Sequence, residues 1–269
     1  MCKARDPMSS SNLAQRILPR DLYRAFRAGW RSLPWRQGRY SDLRLIEQLR
    51  EGDVLRVLGG PFSGMRYLDP GTGIAALQRV AGSYEAELHQ SIEAAIRKNY
   101  TTIINVGCAE GFYAVGMAIR CPDATVWAFD SSRYAQRACR ELAKLNNVEQ
   151  RVKVGGTCDP ETLNQLVGDR TFILIDCEGC EKELMDPQMS PNLARADAIV
   201  ELHDFIDVSI SSAICDRFGD SHSITIVDSR ERNASDYPAL LKLPSDARAR
   251  VVKEGRPAGM QWAVLNVRS

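Results

Sequence analysis

Two spacings of apolar residues alternate along the chain after residue 81, and they predict an alternation of strands and helices. Short apolar, β-branched runs predict strands over 101–106, 125–130, 151–155, 171–176, 198–203, 223–227 and 262–267. Helical patterns between them predict helices over about 83–99, 112–120, 133–146, 160–167 and 208–218. This alternation predicts parallel β-α-β units in a doubly wound α/β sheet. No clear crossover helix precedes the last run, which predicts an antiparallel last strand.

The first 80 residues follow a different pattern. Within 13–33, apolar side chains recur every fourth residue beside a stripe of arginines, which predicts an amphipathic helix. We favour a helix that packs on its own domain, although contact with an anionic membrane surface or a partner is the alternative. Residues 1–80 hold 14 Lys and Arg against 7 Asp and Glu, while the net charge of the chain is +1. This asymmetry predicts a basic, mostly helical extension over 1–80 and a second domain over 81–269.

Composition narrows the class of protein. Hydrophobic residues make up 44% and charged residues 26%, as in an ordinary globular protein. No apolar run approaches the ~18–20 residues of a membrane span, and residues 1–20 lack the apolar centre of a secretory signal, so we expect a cytoplasmic protein. The acidic balance after residue 80 gives no reason to expect a nucleic-acid partner.

Eight scattered cysteines do not indicate a disulfide framework. Cys177 and Cys180 form a C-x-x-C pair, but no second pair stands at the spacing of a zinc site. We therefore interpret them as two small residues near the end of a buried strand, with a metal or redox role as the alternative.

Candidate chemistry lies at the strand ends, since ligands of open parallel sheets bind at their carboxyl edge. After the first strand, Gly107 and Gly111 flank a turn that can approach a ligand closely. Ala109 stands where the dinucleotide motif G-x-G-x-x-G needs its middle glycine, so that motif is absent. After the second strand, Asp130 either accepts the hydroxyls of a ribose, which we favour, or caps the next helix.

The fourth and fifth strands end in titratable residues. Asp176 and Glu178 lie two residues apart and can point into one pocket. Glu181 and Glu183 are expected to begin a solvated helical turn. His203, one of three histidines, ends the fifth strand, and we weigh a catalytic and a structural role for it equally.

Three segments resemble motifs of the FkbM family of class I S-adenosylmethionine-dependent methyltransferases. Residues 82–85 (Gly-Ser-Tyr-Glu) match its G-x-Y-E segment, and 106–113 match its glycine turn followed by aromatic residues. Residues 175–181 match its D-x-E-G-x-E motif, the most specific of the three. The resemblance covers about residues 80–230 and implies a Rossmann-like seven-stranded methyltransferase sheet with an antiparallel last strand. It also implies S-adenosylmethionine as methyl donor.

The resemblance further implies roles for individual residues. The implied donor-binding residues are Asn105, Gly107, Cys108, Glu110, Gly111, Phe112, Asp130, Ser131, Gly156, Thr157 and Asp176. Asn105 departs from the family pattern, which usually has an acidic residue that can neutralise the donor's ammonium group, and we expect Glu110 to compensate. An alcohol acceptor must lose its proton, and the expected catalytic residues are His203 first, then Asp176 and Glu178.

The predicted function is O-methylation of a hydroxyl on a small molecule or sugar. In one alternative, Asp176, Glu178, His203 and Asp204 hold a divalent cation such as Mg²⁺, which lowers the pKa of the acceptor hydroxyl. A non-catalytic donor-binding module, a nicotinamide-dependent oxidoreductase and a nucleic-acid methyltransferase are further alternatives. The missing dinucleotide motif and the acidic second half argue against the last two. The acceptor and the oligomeric state stay open.

Overall fold

The computed structural model describes residues 35–50, 52–69, 76–254, 256 and 259–268. The amphipathic helix predicted over 13–33 lies outside these residues, so its structure and its role stay predictions. The chain divides into two compact units, residues 1–44 and residues 45–269. The second unit contains all the strands described below.

A seven-stranded mixed sheet is the centre of this second unit. Its strands are β1 (Thr102–Val106), β2 (Thr125–Phe129), β3 (Val152–Gly155), β4 (Thr171–Ile175), β5 (Ala196–Leu202), β6 (His222–Asp228) and β7 (Gln261–Val267). They lie in the order β3-β2-β1-β4-β5-β7-β6. The first five strands in this order are parallel to their neighbours. Strand β7 is antiparallel to both of its neighbours, β5 and β6. The predicted Rossmann-like methyltransferase sheet with an antiparallel last strand is confirmed.

Helices connect most of the strands. In the described residues they are α1 (Trp35–Leu49), α2 (Leu77–Ala81), α3 (His89–Arg97), α4 (Phe112–Arg120), α5 (Arg133–Leu145), α6 (Pro160–Leu166), α7 (Glu181–Leu184), α8 (Ile210–Phe218) and α9 (Ser245–Val252). Helices α3 to α6 and α8 lie where the sequence predicts them, and α9 is an unpredicted helix between β6 and β7. None of the helices described here combines the length and the apolar composition that crossing a membrane needs.

The sheet has a hydrophobic core on each face. Ile103 belongs to one core and Ile104 to the other, because successive side chains of a strand point to opposite faces. All residues of the central strands β4 and β5 are buried. The sequence accordingly shows β4 as an apolar run, whereas β5 also buries Asp197 and Glu201. The outer strand β6 instead has exposed and half-buried positions along most of its length.

The described residues between 45 and 81 contribute to the hydrophobic core on one face of the sheet. Phe62, which is 3% exposed, packs edge-on against Phe112 of α4 with ring centroids 5.3 Å apart. Within this stretch, residues 52–69 form turns and an isolated antiparallel bridge between Arg56 and Arg66. The compact unit that contains the sheet begins at Leu45. The domain boundary near residue 80, which the charge distribution predicts, stays a prediction.

One edge of the sheet collects the strand ends that carry polar residues. Because β1, β2, β4 and β5 are parallel, their carboxyl ends lie at the same edge. The end of β5 at Leu202 pairs with the start of β7 at Gln261, which pairs with the end of β6 at Asp228. The segments after β6 and before β7 therefore reach the same edge.

Candidate active site

The turn after β1 brings the ends of β1 and β4 into contact. Gly107 has a φ of +77°, and a Cβ atom there would lie 1.5 Å from the carbonyl oxygen of Asp176. Gly111 has a φ of +95°, and its Cβ would lie 2.7 Å from Sγ of Cys139 on α5. Both positions require glycine, because a side chain would be strained by its backbone conformation and would push β4 or α5 away.

Asp130 connects the end of β2 to this turn. Its Oδ2 accepts a hydrogen bond from the backbone N–H of Ala109 at 2.9 Å, and its Oδ1 accepts one from Ser132 at 2.8 Å. Ser132, rather than Asp130, caps α5 by accepting from the N–H of Ala135. A carboxylate oxygen accepts more than one hydrogen bond, so Asp130 can brace the turn and still accept ribose hydroxyls. The ribose role stays a prediction.

A small cavity of about 40 Å³ lies beside the turn. The sequence candidates among its lining residues are Asn105, Gly107, Cys108, Glu110, Phe112 and Asp176. Asn105 is 3% exposed, and its Oδ1 has no hydrogen-bond partner among the residues that the structure describes. Leaving a buried carbonyl oxygen unpaired costs about 1–3 kcal/mol, so a ligand that donates an N–H group there would remove this cost.

Glu110 is bonded to protein groups in this cavity. The hydroxyl of Tyr67 donates to its Oε1 at 2.5 Å, and Nε of Arg79 lies 3.1 Å from the same oxygen. The Arg79 guanidinium also lies over the ring of Tyr84, 4.1 Å from its centroid. Arg79 therefore balances the charge of Glu110, and an ammonium group of a ligand would have to compete with it for this carboxylate.

The ends of β4 and β5 bring three of the candidate catalytic residues together. Nε2 of His203 lies 3.6 Å from Oδ1 of Asp176 and 3.7 Å from Oε2 of Glu178. One ligand atom from each of the three residues falls within 4.8 Å of the others. His203 is 2% exposed, whereas the Asp176 and Glu178 side chains are 40% and 63% exposed. The imidazole is thus shielded from solvent, while the two carboxylates are partly exposed at the carboxyl edge of the sheet.

Glu181 holds the other nitrogen of this imidazole, contrary to the prediction that it is solvated. It is fully buried, and its Oε1 lies 2.7 Å from Nδ1 of His203. The same carboxylate accepts hydrogen bonds from the backbone N–H groups of Cys177 at 3.2 Å and Gly179 at 2.9 Å. Glu183 is exposed, as predicted. A four-residue helix such as α7 is too short for its charge pattern to reveal which carboxylate is buried.

The electrostatics of this pair fix the tautomer of His203. Burial would raise the pKa of Glu181, but its bonds to His203 and to the backbone amides hold it below the usual value, so Glu181 is ionised. An ionised carboxylate only accepts, so Nδ1 carries the proton and Nε2 faces Asp176 and Glu178. Burial would lower the pKa of His203, but Glu181, Asp176 and Glu178 together raise it.

A buried charge cluster lies behind Asp176. Arg256, in the segment before β7, forms ion pairs with Glu85 and Glu254 and with Glu201 at 2.5 Å. Burial and the nearby charge of Asp176 raise the pKa of Glu201. The protein atoms packed around Asp176 remove part of its hydration and, with the charge of Glu85, raise its pKa. The charge of Arg256 acts in the opposite direction on Glu201, so this carboxyl lies between a like charge and an opposite one.

The remaining candidates lie outside this group. Asp204 accepts hydrogen bonds from the backbone N–H of Ser211, at 2.9 Å, and from the Ser211 hydroxyl at the start of α8. It does not lie with Asp176, Glu178 and His203, so the structure brings together only three of the four predicted metal ligands. Ser131, Gly156 and Thr157 are exposed after β2 and β3. Their predicted donor contacts stay predictions.

Several residues of this site carry no predicted catalytic or donor-binding role. They include Tyr67, Arg79, Glu85, Glu181, Glu201 and Arg256. Glu201 stands two residues before His203, so period-two reasoning along β5 could have placed both side chains on one face. Glu85 lies in the G-x-Y-E segment, which indicates the family resemblance but does not predict which residues Glu85 contacts. Arg256 has no local signal, because its contacts come from distant parts of the chain.

Comparison with known proteins gives neither a family nor a relative for this chain. No protein-family model matches it, and no curated protein matches it. The resemblance to the FkbM family therefore stays a prediction.

Solved structures similar to this chain include several methyltransferases. A candidate O-methyltransferase from Klebsiella pneumoniae is 15% identical, with a TM-score of 0.49 over 72% of this chain and 91% of that one. Cofactor-bound Rv0187 from MTB is 16% identical, with a TM-score of 0.48 over 71% and 86%. The O-methyltransferase TomG from Streptomyces achromogenes, in complex with SAM, is 10% identical, with a TM-score of 0.46 over 84% and 89%. These likenesses are too distant to carry an argument about function.

Proposed function

We propose that this chain is an S-adenosylmethionine-dependent methyltransferase that methylates a hydroxyl group of a small molecule or sugar. The observation that carries the proposal is the strand order, with antiparallel β7 between β5 and β6. It differs from the order 3-2-1-4-5-6 of the dinucleotide-binding fold and argues against the oxidoreductase alternative. The three sequence motifs support a finer proposal, that the enzyme is FkbM-like.

The donor side of the proposed site rests on residues at the ends of β1 and β2. Asn105 offers a buried carbonyl oxygen without a partner among the described residues, which suits the N–H of an ammonium group. Gly107 and Gly111 keep side chains out of the turn beside it. Asp130 is braced by Ala109 and Ser132 in a position from which it can accept the two hydroxyls of a ribose. These features support donor binding at the ends of β1 and β2.

The acceptor side rests on His203 and its neighbours. S-adenosylmethionine, when bound, would supply a methyl group on a positively charged sulfur. The chain would align the acceptor hydroxyl with that methyl group, mainly through hydrogen bonds to Asp176 and Glu178. Nε2 of His203 faces these carboxylates and would take the hydroxyl proton as general base. Glu181 would hold the imidazole in the tautomer that this role needs.

Calorimetry tests donor binding directly. We expect wild-type protein to bind S-adenosylmethionine and S-adenosylhomocysteine, and Asp130→Asn to bind both at least about tenfold more weakly, because an amide cannot accept both ribose hydroxyls as a carboxylate does. Asp123→Asn, an exposed aspartate beyond α4, is the matched control. Folded wild-type protein that binds neither compound would refute the proposal.

Transfer of a labelled methyl group to hydroxylated acceptors tests catalysis. The expected result is transfer by wild-type protein and a loss of about 10²-fold or more in His203→Gln with donor affinity retained. Donor binding without transfer to any hydroxylated acceptor would favour the non-catalytic binding module instead.

A divalent cation at Asp176, Glu178 and His203 is the second candidate mechanism. The observation that favours it is that their ligand atoms lie within 4.8 Å of one another. Glu181 orients the histidine through Nδ1, as a carboxylate on the other ring nitrogen orients many metal-bound histidines. Calorimetric titration with Mg²⁺ and Mn²⁺ after dialysis against EDTA tests it. Binding lost in Glu178→Gln but kept in Asp204→Asn would support a metal, and activity that survives EDTA would exclude it.

A further inference from the structure

The C-x-x-C pair lies inside the proposed site, at the turn between β4 and α7. Glu178 and Gly179, the two residues between the cysteines, have φ values of +56° and +105°. This left-handed pair turns the chain back between Cys177 and Cys180, and the neighbouring Cys180 thiol is the largest influence that raises the pKa of Cys177. A pair of thiols this close needs little movement to form a disulfide.

The thiol of Cys177 shares a hydrogen-bond acceptor with His203. Sγ of Cys177 lies 3.5 Å from Oε1 of Glu181, and Nδ1 of His203 lies 2.7 Å from the same oxygen. The backbone N–H of Cys177 also donates to this oxygen. Any change at Cys177 therefore reaches the carboxylate that orients the imidazole.

Exposure distinguishes this pair from a second close pair in the chain. Cys180 is exposed and Cys177 is half-buried. Cys108 and Cys139 are also neighbours, since Cys139 is the largest influence that raises the pKa of Cys108, but they are 4% and 0% exposed. An oxidant from solution can reach the first pair and not the second, so the chain carries its own internal control.

We propose that Cys177 and Cys180 are a redox-active dithiol, which a hydroperoxide oxidises to a disulfide, and that this disulfide switches off the site by releasing His203 from its position. The second half of the proposal rests on the proposed methyltransferase function, while the first half does not.

The chemistry has two balanced steps. The exposed thiol of Cys180 reacts with a hydroperoxide, ROOH, to give a sulfenic acid and the alcohol ROH. Sγ of Cys177 then attacks the sulfur of that sulfenic acid, forming the S–S bond and releasing one water. The two cysteines lose two electrons and two protons in total, and the peroxide O–O bond takes up both electrons. A thiol reductant reverses the change by exchange.

The disulfide has a direct structural consequence. It removes the thiol hydrogen that Cys177 can donate to Glu181, and it replaces the thiol contact with a covalent bond across Glu178 and Gly179. Glu178 is one of the carboxylates that face His203. Oxidation of the turn therefore changes the surroundings of Glu181, which orients the imidazole. It also changes the turn that carries Glu178, which faces Nε2 of His203.

Peptide mapping of the full chain tests the dithiol itself. After exposure of the folded protein to hydrogen peroxide, we expect a Cys177–Cys180 disulfide in the wild type and none involving Cys108 or Cys139. Cys180→Ser should form none, and Cys215→Ser, which removes an unrelated half-buried thiol, should behave as the wild type. Oxidised protein in which Cys177 and Cys180 stay unlinked, or in which the buried pair links as fast, would overturn the proposal.

Histidine-selective NMR tests the link to His203 without any assay of methyl transfer. The chain has only His89, His203 and His222, so the imidazole signals are few. Oxidation should move those of His203, leave those of His89 and His222 in place, and reverse with a thiol reductant. A mapped disulfide with unmoved His203 signals would refute the coupling.

Activity completes the test. Oxidised wild-type protein should lose methyl transfer by about tenfold or more, because the proton acceptor loses its orientation. Cys180→Ser should keep its activity in peroxide. If no acceptor is ever methylated, the mapping and the NMR measurement still decide the dithiol and its coupling, so a failure of the proposed function is distinguished from a failure of this inference.

Discussion

Glu181 determines which nitrogen of His203 is free to act. An imidazole without a fixed partner exchanges tautomers and rotates, and either change removes Nε2 from the two carboxylates that face it. The buried carboxylate of Glu181 prevents both by holding Nδ1–H at 2.7 Å, while backbone amides at Cys177 and Gly179 hold the carboxylate itself. This residue does not face the proposed acceptor, so its role is to position His203.

Glu181→Gln tests this positioning role. We expect kcat to fall about tenfold or more while donor affinity is unchanged, because the amide can still fill the space but no longer fixes the tautomer with a charge. The pKa of His203 should also fall, since its main raising influence is lost. Glu183→Gln, on the exposed side of the same helix, is the control. A purely structural role would lower stability and leave the pH profile in place.

The raised pKa of His203 sets the pH dependence of the proposed reaction. A base acts only in its unprotonated form, so kcat/KM should rise with pH through a pKa above the ordinary value of 6.5. The rise comes above 6.5 because Glu181, Asp176 and Glu178 stabilise the protonated ring more than burial disfavours it. A pH–rate profile with saturating donor measures this. A profile that is flat from pH 6 to 9 would contradict the base role.

At the scale of secondary structure, the turn after β1 is the element on which the site depends most. Gly107→Ala should destabilise the protein by about 3 kcal/mol or more, because the new Cβ would overlap the Asp176 carbonyl and the backbone would keep an unfavourable φ. Gly168→Ala is the matched control, since a Cβ there has no neighbour within 4 Å. Urea unfolding of both variants gives the comparison. Equal midpoints would contradict the packing described for Gly107.

The sheet could be predicted from the sequence because its strands carry strong local signals. The apolar run over 171–176 corresponds to β4, where all five residues are buried, and the run over 262–267 corresponds to β7. The short helices α2 and α7 span only five and four residues, which is too few for a helical period to appear. Helix α9 has an irregular pattern with only two buried residues.

The site could be predicted only where it follows strand ends. Asp176, Glu178 and His203 come directly after β4 and β5, and the rule that ligands bind at carboxyl ends places them together. Tyr67 and Arg256 could not be placed in this way. They reach the site from loops far away in sequence, and their contacts depend on tertiary packing that no local pattern carries.

At the scale of the whole molecule, the site is assembled from three separate stretches of the second compact unit. The sheet contributes the strand ends. The stretch before α3 contributes Tyr67, Arg79 and Glu85, and the segment before β7 contributes Arg256. Buried ion pairs between such stretches are costly to break from one side, because the remaining charge stays buried without a partner. Correct assembly of the site therefore depends on residues that precede the region of family resemblance.

Shortened chains test where the folded unit begins. A chain of residues 45–269 should unfold cooperatively, whereas a chain of residues 81–269 should not reach a stable fold. The second chain lacks apolar side chains such as Leu49, Phe62 and Val80, each at most 3% exposed, and it exposes the surface they cover. Burial of each large side chain contributes about 1.5–3 kcal/mol. Several together match the whole stability of a typical domain, about 5–15 kcal/mol.

Circular dichroism and urea unfolding of the two chains, with Tyr67→Phe in the longer one as a mild control, distinguish the boundaries. A cooperative transition in residues 81–269 would show that the fold begins where the charge pattern changes, rather than at Leu45.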